Sequence, residues 1–204
     1  MHIKTRPVGQ LQTNCYVVTD PETKSCAVID PGDEGPAILR YLEENGLTPR
    51  AVFLTHGHYD HTAAVDDIVV QWGIPVYISE QDVTPGNRPD PYRYMASGDT
   101  RFWKDGDEVQ IGGLSFQVIA TPGHTPGCVC LKVEDCLFTG DTLFRDDCGR
   151  TDLPGGNDRT MMQSLARIDG LQGDLEIYPG HAEATTLERE RRFNHYLRQS
   201  ASGK

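Results

Sequence analysis

Short apolar runs separated by turns rich in glycine and proline dominate the chain, and they predict β-strands. The predicted strands cover residues 14–18, 25–30, 51–54, 75–78, 113–120, 127–133, 136–139 and 175–178. Apolar residues at helical spacing predict helices over 36–45, 61–71, 159–168 and 186–198. The elements fall into two similar halves, each with antiparallel strands followed by helices. This order predicts an α+β fold, an αββα sandwich of two mixed β-sheets flanked by helices.

The segment 84–104 interrupts this pattern, because it is rich in proline, glycine and aspartate and predicts a long loop. Loops of this length in compact domains are often lids or binding elements. Its arginines could meet a substrate carboxylate and its aromatic residues could cover an apolar part of the substrate; these residues are Arg88, Arg93, Arg101, Tyr92, Tyr94 and Trp103. An equally weighted interpretation is that the aromatic residues attach the loop to the protein or form a dimer contact.

Length, net charge and cysteine content restrict the number of domains, the classes of binding partner and the location of the protein. A length of 204 residues predicts one domain, 1–204, with its own core. The net charge of −11 disfavours a nucleic-acid partner, since such binding needs basic patches. No apolar stretch approaches a membrane span, so no membrane partner is expected. The start shows no secretory signal, and the six cysteines are expected to be reduced and buried, which together predict a cytoplasmic protein.

Seven histidines and aspartates stand just beyond predicted strands and predict a metal centre. Four of them occur within six residues, in the pattern His-x-His-x-Asp-His after strand 51–54, where a turn at Gly57 can direct them toward two centres. The other three each follow a glycine. The seven residues are His56, His58, Asp60, His61, His124, Asp141 and His181. Imidazole and carboxylate ligands suit zinc, iron or manganese. Each residue alone is a weak signal, whereas the seven together predict a paired transition-metal site.

These motifs, together with Pro-Gly-His-Thr-Pro-Gly and Gly-Asp-Thr-Leu-Phe, resemble those of metallo-β-lactamase-fold hydrolases along nearly the whole chain. The resemblance implies a first metal ion on one set of residues, a second ion on another, and an aspartate that bridges the two. The first set is His56, His58 and His124; the second is Asp60, His61 and His181; the bridge is Asp141. Asp30 matches a carboxylate that supports the histidine loop, although it also fits an ordinary turn before Pro31-Gly32.

The implied cofactors are two divalent transition-metal ions, with zinc favoured over iron or manganese. Two such ions lower the pKa of a bound water, and the resulting hydroxide attacks a carbonyl. A thiolate leaves without an obligatory general acid because its reference pKa is about 8.5. Thioesters therefore suit the site. Asp60 and Asp141 are the expected catalytic carboxylates, since Asp60 could orient the hydroxide or accept its proton.

The chain most resembles short, single-domain relatives of glyoxalase II, the hydroxyacylglutathione hydrolases. Tyr59 fits an aromatic residue of their histidine motif, and Arg150 matches a position that binds a glutathione carboxylate; otherwise Arg150 is a surface arginine. After His181 the chain continues only to Lys204, without the helical domain of the full-length enzymes. The prediction is a small-molecule thioester substrate, with the use of glutathione and the oligomeric state left open.

Other functions remain. A persulfide dioxygenase resembles the chain through Gly149-Arg150-Thr151-Asp152 and would hold one iron ion on His56, His124 and Asp141. A non-catalytic scaffold that binds metal is the third possibility, although such relatives normally lose ligands. A class B β-lactamase is disfavoured, because those enzymes are exported and commonly carry cysteine where this chain has Asp141.

Overall fold

A computed structural model of the chain describes residues 1–85, 90–96 and 98–202. Within these ranges the strands form two six-stranded sheets and a separate two-stranded hairpin. Helices cover the outer face of each sheet. The predicted αββα sandwich of the α+β class is confirmed. Across the same ranges, no helix combines the length and apolar character that crossing a membrane requires.

The first sheet contains six strands in sequential order. They are β1 (His2–Val8), β2 (Thr13–Thr19), β3 (Ser25–Ile29), β4 (Thr48–Phe53), β5 (Val76–Ile78) and β6 (Thr100–Phe102). Strands β1, β2 and β3 pair antiparallel, and β3 to β6 pair in parallel. Helices α1 (Gly35–Glu44), α2 (Tyr59–Thr62) and α3 (Val65–Trp72) connect its strands, and a 3₁₀ helix, Glu80–Asp82, follows β5. The predicted hairpin of residues 14–18 and 25–30 is the β2–β3 pair.

The second sheet has the order β14-β13-β10-β9-β8-β7. Its strands are β7 (Glu108–Ile111), β8 (Leu114–Ala120), β9 (Val129–Val133), β10 (Cys136–Gly140), β13 (Glu176–Pro179) and β14 (Thr185–Thr186). Strands β11 (Leu143–Phe144) and β12 (Asp147–Cys148) form the separate hairpin. The helices of this half are α4 (Asp158–Asp169), α5 (Leu187–Phe193) and α6 (His195–Ser202). Strands β10 and β13 are parallel, so both end at the same edge of the sheet.

Apolar side chains fill three layers. Between the sheets, the rings of Phe53 and Phe116 meet edge to face with centroids 5.1 Å apart. Helix α1 places Ile38 and Leu42, four residues apart, on the first sheet, and α4 places Leu165 on the second. Each fully buried side chain of this size contributes about 1.5–3 kcal/mol of transfer free energy. The layers hold the two sheets at a fixed separation, which aligns the loops at one edge.

The prediction that residues 84–104 form one loop was wrong at its end. Residues 100–102 form β6, which pairs in parallel with β5. A three-residue edge strand carries too few apolar positions to show alternation.

Both interpretations of the aromatic residues of this segment apply in part. Tyr94 and Trp103 are only 5% and 4% exposed and pack in the core, whereas Tyr92 faces the cavity described below. Arg88 lies outside the described residues. Strands β1 and β7 were also missed, because both are largely exposed and polar.

The single terminal helix predicted over 186–198 is two helices that meet at Asn194. The Asn194 side chain donates to the carbonyls of Phe144 and Asp147, and its oxygen accepts from the backbone N–H groups of Tyr196 and Leu197. Asn194 therefore ends α5 and caps α6. The predicted helix over 61–71 is likewise divided, into α2 and α3.

Candidate metal centre

The seven predicted ligands converge at the edge where β4, β8, β10 and β13 end. His56 and His58 lie in the loop after β4, and Asp60 and His61 lie on α2. His124, Asp141 and His181 follow β8, β10 and β13 respectively. Four separate loops thus contribute to one cluster.

The cluster divides into overlapping groups of three whose ligand atoms all lie within 4.8 Å of one another. One group, His56, His58 and His124, is called the first ligand set here; Asp60, His61 and His181 form the second ligand set. A third group combines His56, His61 and Asp141. The first two groups coincide with the division that the sequence resemblance implies.

Asp141 lies between the two ligand sets. Its Oδ2 is 3.5 Å from Nε2 of His124 in the first set and 3.6 Å from Nε2 of His181 in the second. Its Oδ1 is 3.4 Å from Nε2 of His61. A carboxylate that contacts both sets has the placement that a bridging ligand needs.

Several buried polar atoms of the cluster have no hydrogen-bond partner among the described residues. They include Nε2 of His56, Nε2 of His61 and Oδ1 of Asp141. These three residues form the third group named above. A buried polar atom without a partner costs about 1–3 kcal/mol. Divalent cations would satisfy these atoms, and nitrogen and carboxylate ligands suit zinc, iron or manganese. The residues present therefore fit the paired-metal expectation.

The charge of the cluster also favours cations. Burial lowers the pKa of His58 to about 4 and that of His56 well below its usual value, so both rings are neutral near pH 7. Neutral imidazole is the form that binds metal. Burial opposes ionisation of Asp141, but His61 and His124 outweigh it and hold the pKa of Asp141 below its usual value. His56 and His58 therefore present neutral rings beside an ionised carboxylate, whereas Asp141 and Asp30 outweigh burial and raise the pKa of His61 well above its usual value.

Asp30 supports the cluster from beneath, in the place that the resemblance implies. Its carboxylate accepts hydrogen bonds from the backbone N–H and hydroxyl of Thr55, at 2.8 and 2.7 Å, and lies 3.0 Å from Nδ1 of His61. Asp30 also has a positive φ of 49°, which aspartate tolerates better than most residues. Asp30 therefore contacts both Thr55 and His61, which is the position expected of a carboxylate that supports the histidine loop.

Other ligands are oriented by backbone carbonyls and by one threonine. Nδ1 of His124 lies 2.7 Å from the carbonyl oxygen of Arg150, and Nδ1 of His181 lies 3.1 Å from that of Leu11. Such a bond directs Nε2 of the ring to the centre. The hydroxyl of Thr13 donates to Asp60 at 2.9 Å. Sequence reasoning missed Thr13, which adjoins a predicted strand far from every histidine motif.

A cavity of about 460 Å³ opens over the cluster. Apart from the ligands it is lined by Leu11, Tyr59, Pro91, Tyr92, Phe144, Asp147, Cys148, Arg150 and Leu153. Both predicted substrate-binding residues, Tyr59 and Arg150, therefore lie at the cavity. The Arg150 guanidinium is held by Asp152 through hydrogen bonds of 2.6 and 2.7 Å, a contact that the sequence analysis did not anticipate.

The cysteines stand apart from the ligand cluster. All six are free thiols, and five are buried, as expected for a reduced protein. Cys128 and Cys130 are 2% and 0% exposed, so packing accounts for the pair. Cys148 is half-buried at the cavity, where burial raises the pKa of its thiol to about 12. It is therefore a protonated thiol near neutral pH.

A family model described as the metallo-beta-lactamase superfamily matches residues 8–181, which span all seven ligands. The chain belongs to the metallo-beta-lactamase superfamily. Members with similar sequences include hydroxyacylglutathione hydrolase GloC of Haemophilus influenzae, which is 32% identical over 209 residues that cover 97% of this chain and 98% of that protein. The chain thus belongs to a superfamily of metallo-hydrolases.

Two solved structures of the superfamily are also similar. The BLEG-1 B3 metallo-beta-lactamase is 33% identical with a TM-score of 0.86, covering 96% of this chain and 99% of that one. ETHE1 from Myxococcus xanthus is 30% identical with a TM-score of 0.84, covering 96% of this chain and 84% of that one. The likeness to BLEG-1 means that the fold does not separate this chain from β-lactamases. Asp141 stands where those enzymes commonly carry cysteine, and this difference disfavours that activity.

Proposed function

We propose that the protein is a metal-dependent thioesterase that cleaves S-acyl substrates of the hydroxyacylglutathione type. The observation that carries the proposal is the placement of Asp141 between two complete ligand sets beneath an open cavity. Two divalent ions held there would activate water and polarise a carbonyl. The similarity to GloC supports a thioester substrate.

The remaining residues of the site have two proposed roles, proton transfer and substrate binding. Asp60 is ionised, because its hydrogen bonds with His181 and Thr13 and the charge of His61 outweigh burial and hold its pKa well below the usual range. In this proposal Asp60 orients the water or accepts its proton. Tyr59 and Tyr92 supply apolar walls for the acyl portion, and Arg150 supplies a cation for a substrate carboxylate.

A small thioester is the proposed partner, with neither nucleic acid nor membrane involved. The free thiols support a location in the reducing cytoplasm. Zinc is the proposed metal, with iron or manganese as substitutes, because the donor set accepts all three.

The second candidate is a dioxygenase with one iron ion on His56, His124 and Asp141. It is favoured by the 3.5 Å contact between His124 and Asp141, which forms part of a two-histidine, one-carboxylate triad. The likeness to ETHE1 is compatible with it. A metal-binding scaffold is the third candidate.

One experiment separates these functions. The purified protein is analysed for metal by inductively coupled plasma mass spectrometry and assayed with S-lactoylglutathione, other thioesters, glutathione persulfide and a β-lactam. Two metal equivalents with thioester turnover are expected, and Asp141→Asn should abolish turnover while the remote His2→Ala should not. One iron equivalent with oxygen uptake would identify the dioxygenase. Bound metal without turnover of any of these compounds would indicate a metal-binding scaffold. Turnover of the β-lactam alone would identify a β-lactamase.

A further inference from the structure

Asp82 is a buried carboxylate outside the ligand cluster that joins two of its loops. The residue lies on the 3₁₀ helix after β5 and is 1% exposed. Its Oδ2 accepts from the Gly57 N–H at 3.1 Å and from the Thr125 hydroxyl at 2.6 Å. Its Oδ1 accepts from the Gly127 N–H at 2.9 Å. One side chain therefore satisfies three donors from two separate loops.

Both loops carry ligands of the first set. Gly57 stands between His56 and His58, and Thr125 directly follows His124. Nδ1 of His58 and Nε2 of His124 lie 2.9 Å apart across the gap between the loops. The hydrogen bonds of Asp82 thus fix the spacing of the loops at the point where these two imidazoles face each other.

The packing around Asp82 leaves little room for adjustment. A Cβ atom at Gly57 would lie 2.4 Å from the Asp82 carbonyl oxygen, and one at Gly127 would lie 2.6 Å from the Asp82 carboxyl carbon. The backbone of Asp82 is also fixed, because its carbonyl accepts from the Tyr94 N–H at 2.9 Å. Close approach of the loops therefore depends on glycine at both positions, with the carboxylate between them.

We propose that Asp82 is a positioning residue that holds the His56–His58 loop against the His124 loop and thereby sets the metal affinity of the first ligand set. Asp30 has the corresponding role beneath His61 and Thr55. The proposal concerns metal binding and is independent of which substrate the centre converts. Failure to bind any metal in the unmodified protein would instead refute the proposed function.

The chemistry of the three donors explains why a carboxylate is required. An asparagine of the same shape has one acceptor oxygen and one NH₂ group. In either orientation its NH₂ group would face a backbone N–H, of Gly57 or of Gly127, and would leave that donor unsatisfied. Asp82→Asn should therefore disturb the spacing of the loops without changing the volume of the side chain.

The test measures metal affinity in a His181→Ala background, so that the second ligand set is impaired and the first is measured alone. Apo-protein is titrated with zinc against a chelator of known affinity. Asp82→Asn should raise the dissociation constant by about tenfold to a hundredfold, the usual effect of losing a residue that orients ligands. The absorption spectrum of the cobalt-substituted protein should change with it.

Asp20→Asn is the matched control. Asp20 is also a buried carboxylate with three donors, namely the Thr23 hydroxyl and the N–H groups of Glu22 and Gly113, but it lies beyond the opposite end of β2. The Asp20→Asn substitution should lower the thermal stability of the apo-protein while leaving zinc affinity and the cobalt spectrum unchanged. Equal zinc affinity in both variants would overturn the proposal.

Thr125→Val keeps the test decisive if Asp82→Asn does not fold. It removes one donor to Asp82 with little change in shape and should weaken zinc binding in the same direction by a smaller factor. Unaltered zinc affinity in Thr125→Val would count against the positioning role.

Discussion

Nδ1 of His58 lies 2.9 Å from Nε2 of His124, although the two residues are 66 positions apart. Nδ1 of His124 lies 2.7 Å from the Arg150 carbonyl oxygen, a contact that directs Nε2 of the ring to the centre. Burial lowers the pKa of His58 to about 4, so the His58 ring is neutral near pH 7. The pair therefore directs ring nitrogens from two separate loops at the same point of the centre.

His58→Ala should bind one metal equivalent where the unmodified protein binds two, because the first ligand set loses one of its three imidazoles. Metal analysis after dialysis measures the change. His195→Ala, on α6 and outside the cluster, should keep both equivalents. Two equivalents in His58→Ala would mean that the first ligand set does not hold an ion.

The pairing of Arg150 with Asp152 should limit affinity for acidic substrates. Arg150→Ala should raise KM about tenfold or more for thioesters that carry a carboxylate, since it removes the cation that would hydrogen-bond to that carboxylate. Asp152→Asn should lower KM for the same substrates, because it frees the guanidinium. Steady-state kinetics with acidic and neutral thioesters measure both effects. Arg159→Ala, at an exposed arginine, is the control. An equal change of KM for neutral thioesters would contradict the role of Arg150 in binding a substrate carboxylate.

Tyr92 should act on substrate binding and leave metal content unchanged. Its ring centroid lies 5.7 Å from that of His58, and the ring lines the cavity. Tyr92→Ala should raise KM for thioesters with apolar acyl groups, because it removes apolar contact area. Phe193→Ala, on an exposed aromatic residue of α5 that does not line the cavity, is the control. A loss of metal in Tyr92→Ala would show that the residue supports the centre instead.

Asn194 should stabilise the fold without affecting the centre. Asn194→Ala removes the side chain that ends α5 and caps α6 and should lower the free energy of unfolding by about 1–3 kcal/mol. Urea denaturation measures this loss of unfolding free energy. Asn45→Ala, which removes one exposed hydrogen bond to the Tyr41 carbonyl, should lower the free energy of unfolding by a smaller amount. A reduced metal content in Asn194→Ala would contradict the separation of the two regions.

Asp105 should make the stability of the protein depend on pH. The hydrogen bond from Arg167 holds the pKa of Asp105 below its usual value. Since the folded pKa is the lower one, the contribution is complete above the unfolded pKa of about 3.9 and is lost as pH falls through the folded pKa. The exposed pair is worth less than about 1 kcal/mol. The difference in unfolding free energy between the unmodified protein and Asp105→Asn should shrink below pH 4 when urea denaturation is repeated across a pH series; a constant difference would contradict the role of Asp105.

The sequence was sufficient for the fold class and for the family, because both depend on local signals. Apolar runs marked the central strands of each sheet, and these were confirmed. Edge strands such as β1 and β6 escaped detection because their side chains are largely exposed, and β6 also pairs with β5 across a long intervening segment. The break at Asn194 was also missed, since its cause is the β11–β12 hairpin that Asn194 contacts.

The sequence by itself named seven ligands, because four occur together just after an apolar run and the other three each follow a glycine where a strand must end. Only the tertiary structure decided which ligands face one another and which residues hold them there. Thr13 and Asp82 contact partners 47 and 43 positions away along the chain, and no local pattern distinguishes them from surface residues. Their roles arise from tertiary packing, which for Asp82 brings loops from both halves within hydrogen-bond distance at one edge.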